Sequence, residues 1–269
     1  MAVAGRELAS DFDTFEIMAY RSVIGFIIVC AIIHVSRDRF SQIKTTRPGL
    51  HVVRNIFHFA GQNLWFYGVA VIPFAQLVAL EFTNPIWVAL LAPLILSEKI
   101  TKWRVFAAVI GFVGVLIVAR PGSAPFEWGH ASGLGAALGF AMNTIFTKEL
   151  LRSDTTLCVL FWMTLSQAAM GFLGAAPGGM AMLSLATMPW IIIVGLCGLT
   201  AHYSLTSALA SAPASVVAPM EFIRLPVMAT IGMVLYGEPL EIAVLVGGAV
   251  ILTGNLLNIN AERKKPSAT

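Results

Sequence analysis

Long apolar stretches alternate with short polar connections along the whole chain. The apolar stretches fall at about 15–35, 50–72, 74–96, 103–120, 130–150, 156–176, 187–209, 213–236 and 239–259, nine in all. Each approaches 20 residues, and at about 1.5 Å per residue a helix of that length crosses a hydrocarbon core about 30 Å thick. The connections are rich in Pro, Gly and charge, and none is long enough to hold a soluble domain. The first 14 residues lack the apolar core of a signal peptide, and residues 261–269 form a polar tail.

The stretch 73–114 recurs at 213–254, a displacement of 140 residues. Pro73 then faces Pro213, Glu81 faces Glu221, Phe82 faces Phe222, Ala89 faces Ala229, Glu98 faces Glu238 and Gly114 faces Gly254. Apolar helices resemble one another by composition, so the glutamates carry the argument. The first copy holds only two, and both find glutamate partners. An internal duplication follows.

Nine is an odd number for a duplicated chain. Residues 1–8 (MAVAGREL) lie over 143–150 (NTIFTKEL), with Arg6 on Lys148, Glu7 on Glu149 and Leu8 on Leu150. The chain is therefore expected to begin inside a helix, without a counterpart of 130–142. The expected parent architecture is an all-α membrane protein of ten helices in two halves of five, its first helix either truncated or cut short by a mis-assigned start. The halves are placed at 1–120 and 130–260, followed by the tail 261–269.

Composition agrees: 58% of residues are hydrophobic, 12% are charged, and the mean hydropathy is +0.83, too few charges to coat a soluble globule. The net charge of +3 gives no reason to expect a nucleic-acid partner. Cys30, Cys158 and Cys197 lie in apolar runs without paired or metal-ligand spacing, which predicts packing or lipid-facing roles, no disulfide and no metal. The charges also give direction. The 35–54 connection carries Arg37, Arg39, Lys44, Arg47 and Arg54, the 97–104 turn Lys99, Lys102 and Arg104, and the 148–152 turn Lys148 and Arg152. The tail adds Arg263, Lys264 and Lys265, whereas 71–74, 174–188 and 236–241 have no Lys or Arg and 120–130 has only Arg120. The positive-inside rule puts the rich loops and the carboxyl terminus in the cytoplasm. With five helices per half, the second half enters from the opposite side, making an inverted repeat of the kind secondary transporters use.

Glu81 and Glu221 each sit about 12 Å deep in a span. A charge near the bilayer centre costs roughly 3 kcal/mol on insertion scales, so such residues face a cavity or a partner. One reading pairs Glu221 with Arg224 a helical turn on and satisfies Glu81 through Asn84 or Arg21. The other makes the carboxylates an enclosed site for cationic groups or protons, because burial disfavours a carboxyl's charged form. Arg21 either snorkels or binds an anion. Arg224, deeper, is read as a ligand for a substrate carboxylate or phosphate. His58 and Gln62 share a helix face with Trp65 and Phe66, a wall for stacking or plain packing. Asn143, His202 and Tyr203 complete the candidate substrate-binding or coupling set. Gln76, Thr83 and Gln167 are read as interhelical hydrogen-bonding residues. Gly111, Gly114, Gly171 and Gly174 are read as close-packing seams, and Pro85 and Pro226 as points that loosen a helix.

Two segments carry a family resemblance. NPIWVALLAPLILSEKITKWRVFAAVIGFVGVLIVARPG resembles the first-repeat signature of EamA-type members of the drug/metabolite transporter superfamily, and EFIRLPVMATIGMVLYGEPLEIAVLVGGAVIL its second-repeat counterpart. AYRSVIGF resembles the family's early arginine motif. The resemblance implies a ten-helix inverted repeat around a central cavity lined by 1–8, 50–72, 74–96, 130–150, 187–209 and 213–236. It also implies transport of amino acids, nucleoside-like metabolites, vitamins or toxic solutes.

The expected function is secondary transport, by export or exchange, of a small polar or zwitterionic metabolite across a bacterial inner (cytoplasmic) membrane. Its expected partners are that metabolite, membrane lipid, protons as coupling ion, and a second copy in a homodimer; no cofactor is expected. An intramembrane enzyme using His202 with Glu221 is the alternative, disfavoured because HExxH and GxSxG motifs are absent. A non-transporting scaffold is the third reading.

Overall fold

A computed structural model describes residues 1–96, 102–119, 127–211, 224–239 and 241–263. Among them there is no β-strand. The helices are α1 (Ala2–Leu8), α2 (Thr14–Val35), α3 (Pro48–Val71), α4 (Phe74–Glu81), α5 (Asn84–Leu96), α6 (Lys102–Ala119), α7 (Trp128–Leu150), α8 (Thr156–Ala175), α9 (Met188–Ser211), α10 (Arg224–Tyr236) and α11 (Ile242–Arg263). Because α4 and α5 divide one apolar stretch, these segments make the ten-helix arrangement, with residues 2–8 helical as the alignment to 143–150 anticipates. Apolar side chains such as Ile27, Val35, Phe112 and Leu173 point outward, as a lipid solvent permits.

Local chemistry sets the ends. Asp13 caps α2 in a reciprocal box: its carboxylate accepts from the Glu16 amide while the Glu16 carboxylate accepts from the Asp13 amide, both at 2.8 Å. Thr155 caps α8 by accepting from the Cys158 amide. Pro85 has no N–H and cannot bond back to the Glu81 carbonyl, so the 74–96 stretch breaks at Phe82 and Thr83. The sequence reading made this one span. The Phe82 carbonyl exposed by the break accepts from Asn255 Nδ2 of α11 at 3.0 Å.

The chain packs as two compact units, one of residues 1–70 with 143–211, the other of 71–142 with 212–269. Each draws on both halves of the sequence. In the first, α2 packs on α8 and α9, and α1 on α9. Gly171 makes this possible, since a Cβ there would lie 2.7 Å from the Ala19 amide nitrogen. In the second, α6 lies on α11 and α4 contacts both α10 and α11. Gly114 and Gly247 let the α6 and α11 backbones touch: a Cβ on Gly114 would lie 2.8 Å from the Gly247 carbonyl.

Candidate functional site

In the second unit the break between α4 and α5 holds a charge pair. Glu81 ends α4, is buried, and meets Arg224 Nη2 of α10 at 2.6 Å through Oε1. Of the two readings of these charges, one pairs Arg224 with Glu221 and Glu81 with Asn84 or Arg21; the structure shows Arg224 on Glu81. Glu221 lies outside the described residues. A partner on another helix satisfies a buried carboxylate more directly than an amide does, because it neutralises the charge. Asn84 opens α5, half-buried beside the break, and Thr83 Oγ1 donates to the Leu80 carbonyl at 2.7 Å. At the other end of α4, the Phe74 amide donates to Glu238 Oε2 at 2.9 Å. That acceptor sits where helix N–H groups are unpaired and anions are favoured. His130 of α7 bonds Gln76 of α4 at 3.1 Å. His130 escaped the sequence reading because a single histidine near a span end carries no spacing signal.

In the first unit the polar residues form a network. Arg21 of α2 is only 5% exposed and donates to Gln62 Oε1 of α3 and Gln167 Oε1 of α8, each at 3.1 Å. It does not snorkel. Its guanidinium carbon lies 5.8 Å from the centre of the Phe66 ring. Gln167 also hydrogen-bonds His58 Nδ1, and the His58 and His202 rings meet edge to face with centroids 4.5 Å apart. Trp65 is buried and packs edgewise on Phe66. Asn143 is buried, its Oδ1 without a hydrogen-bond partner among the described residues. Tyr203 of α9 is 50% exposed.

Arg54 corrects the charge reading. Counted there among the loop cations, it lies within α3 at 1% exposure, donating to Thr147 Oγ1 at 3.0 Å and Asn55 Oδ1 at 2.8 Å. Asn55 in turn donates to the Trp162 carbonyl and Ser166 Oγ. A signal was present: His51, Asn55, His58 and Gln62 repeat at helical spacing, and all are buried. A polar stripe in a membrane helix marks the face turned toward protein.

Near the start of α3, His51, Asp154 and Cys158 bring ligand atoms within 4.8 Å of one another, which the linear spacing did not suggest. Asp154 Oδ2 already accepts from His51 Nε2 at 2.7 Å and from Thr45 Oγ1 at 2.6 Å. These bonds tie His51 to Asp154, with Cys158 beside them.

With this geometry in view, the comparisons with known proteins converge. The model of the EamA-like transporter family matches residues 1–120 and 127–260. The S-adenosylmethionine uptake transporter of Rickettsia bellii is 24% identical over 98% of this chain and 90% of its own length. The riboflavin transporter of Brucella anthropi is 30% identical over 82% of this chain and 79% of its own. A solved crystal structure, 18% identical, superposes with a TM-score of 0.64 over 98% of this chain and 96% of that one, and shares the fold. The chain is an integral membrane protein, a small-metabolite transporter, and belongs to the EamA-like transporter family.

Proposed function

We propose that this chain is a secondary active transporter that exchanges a small polar or zwitterionic organic metabolite, of amino-acid or nucleoside-like chemistry, across the bacterial cytoplasmic membrane. The observation that carries the reading is the Glu81–Arg224 pair at a helix break. Discontinuous helices with charged residues at the interruption are where transporters hold solutes and coupling ions. An amphoteric solute suits such a pair: its ammonium competes for Glu81 and its carboxylate for Arg224, so binding opens an internal salt bridge without leaving either charge bare. A proton on Glu81 releases Arg224 equally well, which supplies the coupling step. Glu221, the repeat partner of Glu81, is proposed to contribute a second carboxyl.

Relatives named for S-adenosylmethionine uptake and riboflavin transport support the metabolite class, and the word uptake favours exchange or import over committed export. S-adenosylmethionine itself joins an amino acid to a nucleoside. His58, Gln62, Trp65, Asn143 and His202 are proposed to shape the solute path, with the two EamA segments as an inverted pair of repeats, the carboxyl terminus in the cytoplasm and a homodimer as the assembly.

The test is counterflow in proteoliposomes with S-adenosylmethionine and, separately, riboflavin. Glu81→Gln should lower counterflow of the transported solute at least about tenfold, the loss expected when a charged hydrogen-bond partner is removed. Undiminished counterflow would take Glu81 out of the mechanism.

A further inference from the structure

The first unit buries positive charge that no carboxylate among the described residues balances. Arg21 is 5% exposed and Arg54 1% exposed, and among the described residues their hydrogen bonds go to neutral oxygens or sulfur: Gln62, Gln167 and Met1 for Arg21, Thr147 and Asn55 for Arg54. Removing a guanidinium from water without a counter-charge costs several kcal/mol, so a buried arginine of this kind calls for an anion. Beside Arg21 lies a small cavity, about one water molecule across, lined by Arg21, Ser22, Thr164, Gln167, Gly198 and His202. Ser22 is 3% exposed, and its Oγ has no hydrogen-bond partner among the described residues. Thr164 Oγ1 is turned to the Leu160 and Phe161 carbonyls, which leaves Ser22 as the unspent hydroxyl of the wall. Gly198 keeps the α9 side open, since a Cβ there would lie 3.3 Å from Arg21 Nη1.

We infer that this cavity between α2, α8 and α9 is an oxyanion subsite, its one-water volume admitting a single oxygen of the carboxylate or phosphate group of a solute or of a lipid headgroup. The planar guanidinium of Arg21 presents N–H donors, the Ser22 hydroxyl adds one, and the acceptor oxygens of Gln62 and Gln167 hold the arginine in place. The bound oxygen supplies the missing counter-charge and satisfies the serine in one step. This site stands independently of the Glu81–Arg224 reading, because different side chains carry it and counterflow is not its readout.

The test is thermal unfolding of the purified full-length chain at constant ionic strength, with chloride exchanged stepwise for inorganic phosphate or acetate. A parallel arm adds phosphatidylglycerol against phosphatidylcholine. A saturable rise in Tm with phosphate or acetate identifies a free oxyanion; a rise confined to phosphatidylglycerol identifies a lipid headgroup; either supports the site. Arg21→Gln should abolish the rise. Should that variant fail to fold, Ser22→Ala, which keeps the arginine, should weaken the apparent Kd by about tenfold, the loss of one charge-assisted hydrogen bond. Gly198→Val, which closes the cavity, should also remove the rise. No saturable rise with any of the three additives, or an equal rise in the wild type, Ser22→Ala and Gly198→Val, overturns the inference.

Discussion

Asp154 stands in the connection between α7 and α8, where one carboxylate oxygen serves both Thr45 and His51. Burial alone would raise its pKa, but hydrogen bonds from Thr45, His51 and Ser153 outweigh that and hold it below its ordinary value near 3.8. A carboxylate with a lowered folded-state pKa adds stability that is complete above its unfolded value and fades as pH falls through the lowered one. The expected result is a Tm for the detergent-solubilised chain whose fall with acid gains a further component below about pH 4.5. In Asp154→Asn the drop should be flatter, and Tm at neutral pH should already be reduced by the equivalent of about 1–3 kcal/mol. An unchanged acid limb in the variant would show that other carboxyls set it. The residues also mark the limit of the sequence. Glu81 and Arg224 could be singled out because a charge in an apolar run is costly, but their pairing could not, because (i, i+3) logic looks only along one helix. Arg54 was hidden for the opposite reason: it follows a run of loop cations, although Pro48 has already opened the helix that buries it.

Between elements, two kinds of position decide the packing: prolines that interrupt and glycines that admit. Pro85 was legible as a loosening point, but the sequence gives no account of how the freed carbonyls are satisfied. That rests on Asn255, which comes from α11 to serve Phe82. The span boundaries at α2, α3, α8 and α9 lie within a few residues of those read from hydropathy, since apolar length is fixed by the bilayer. Close approach of helices is a different matter: small residues recur throughout the chain, and only the fold distinguishes those that touch a backbone. Gly171 is one that does, against Ala19. Gly171→Val should therefore force α2 from α8 and lower stability by about 1–3 kcal/mol or more, the usual cost of overpacking. Gly49, whose added Cβ would meet nothing within 4 Å, supplies the comparison: Gly49→Ala should leave Tm nearly unchanged. Equal losses in the two variants would mean that helix propensity, not the α2–α8 contact, controls the effect.

For the molecule as a whole, class and family were readable because they rest on properties spread over the entire chain. Composition and apolar length established a membrane protein, and the segments 84–122 and 221–252 carry the EamA resemblance that the family model bears out. Orientation is a separate proposal resting on charge, and the burial of Arg54 removes one of its counts. The connection before α3 still carries Arg37, Arg39, Lys44 and Arg47, whereas the 174–188 connection carries no Lys or Arg. The asymmetry therefore survives with its sign unchanged, and it depends on Lys and Arg alone, acidic residues contributing little. A fluorescent-protein fusion after Thr269 should fluoresce, and an alkaline phosphatase fusion at the same point should be inactive. Fusions within 174–188 should give the reverse. Activity of the carboxyl-terminal phosphatase would invert the whole arrangement, moving the cation-rich connections outside and requiring that something other than positive charge orients the chain.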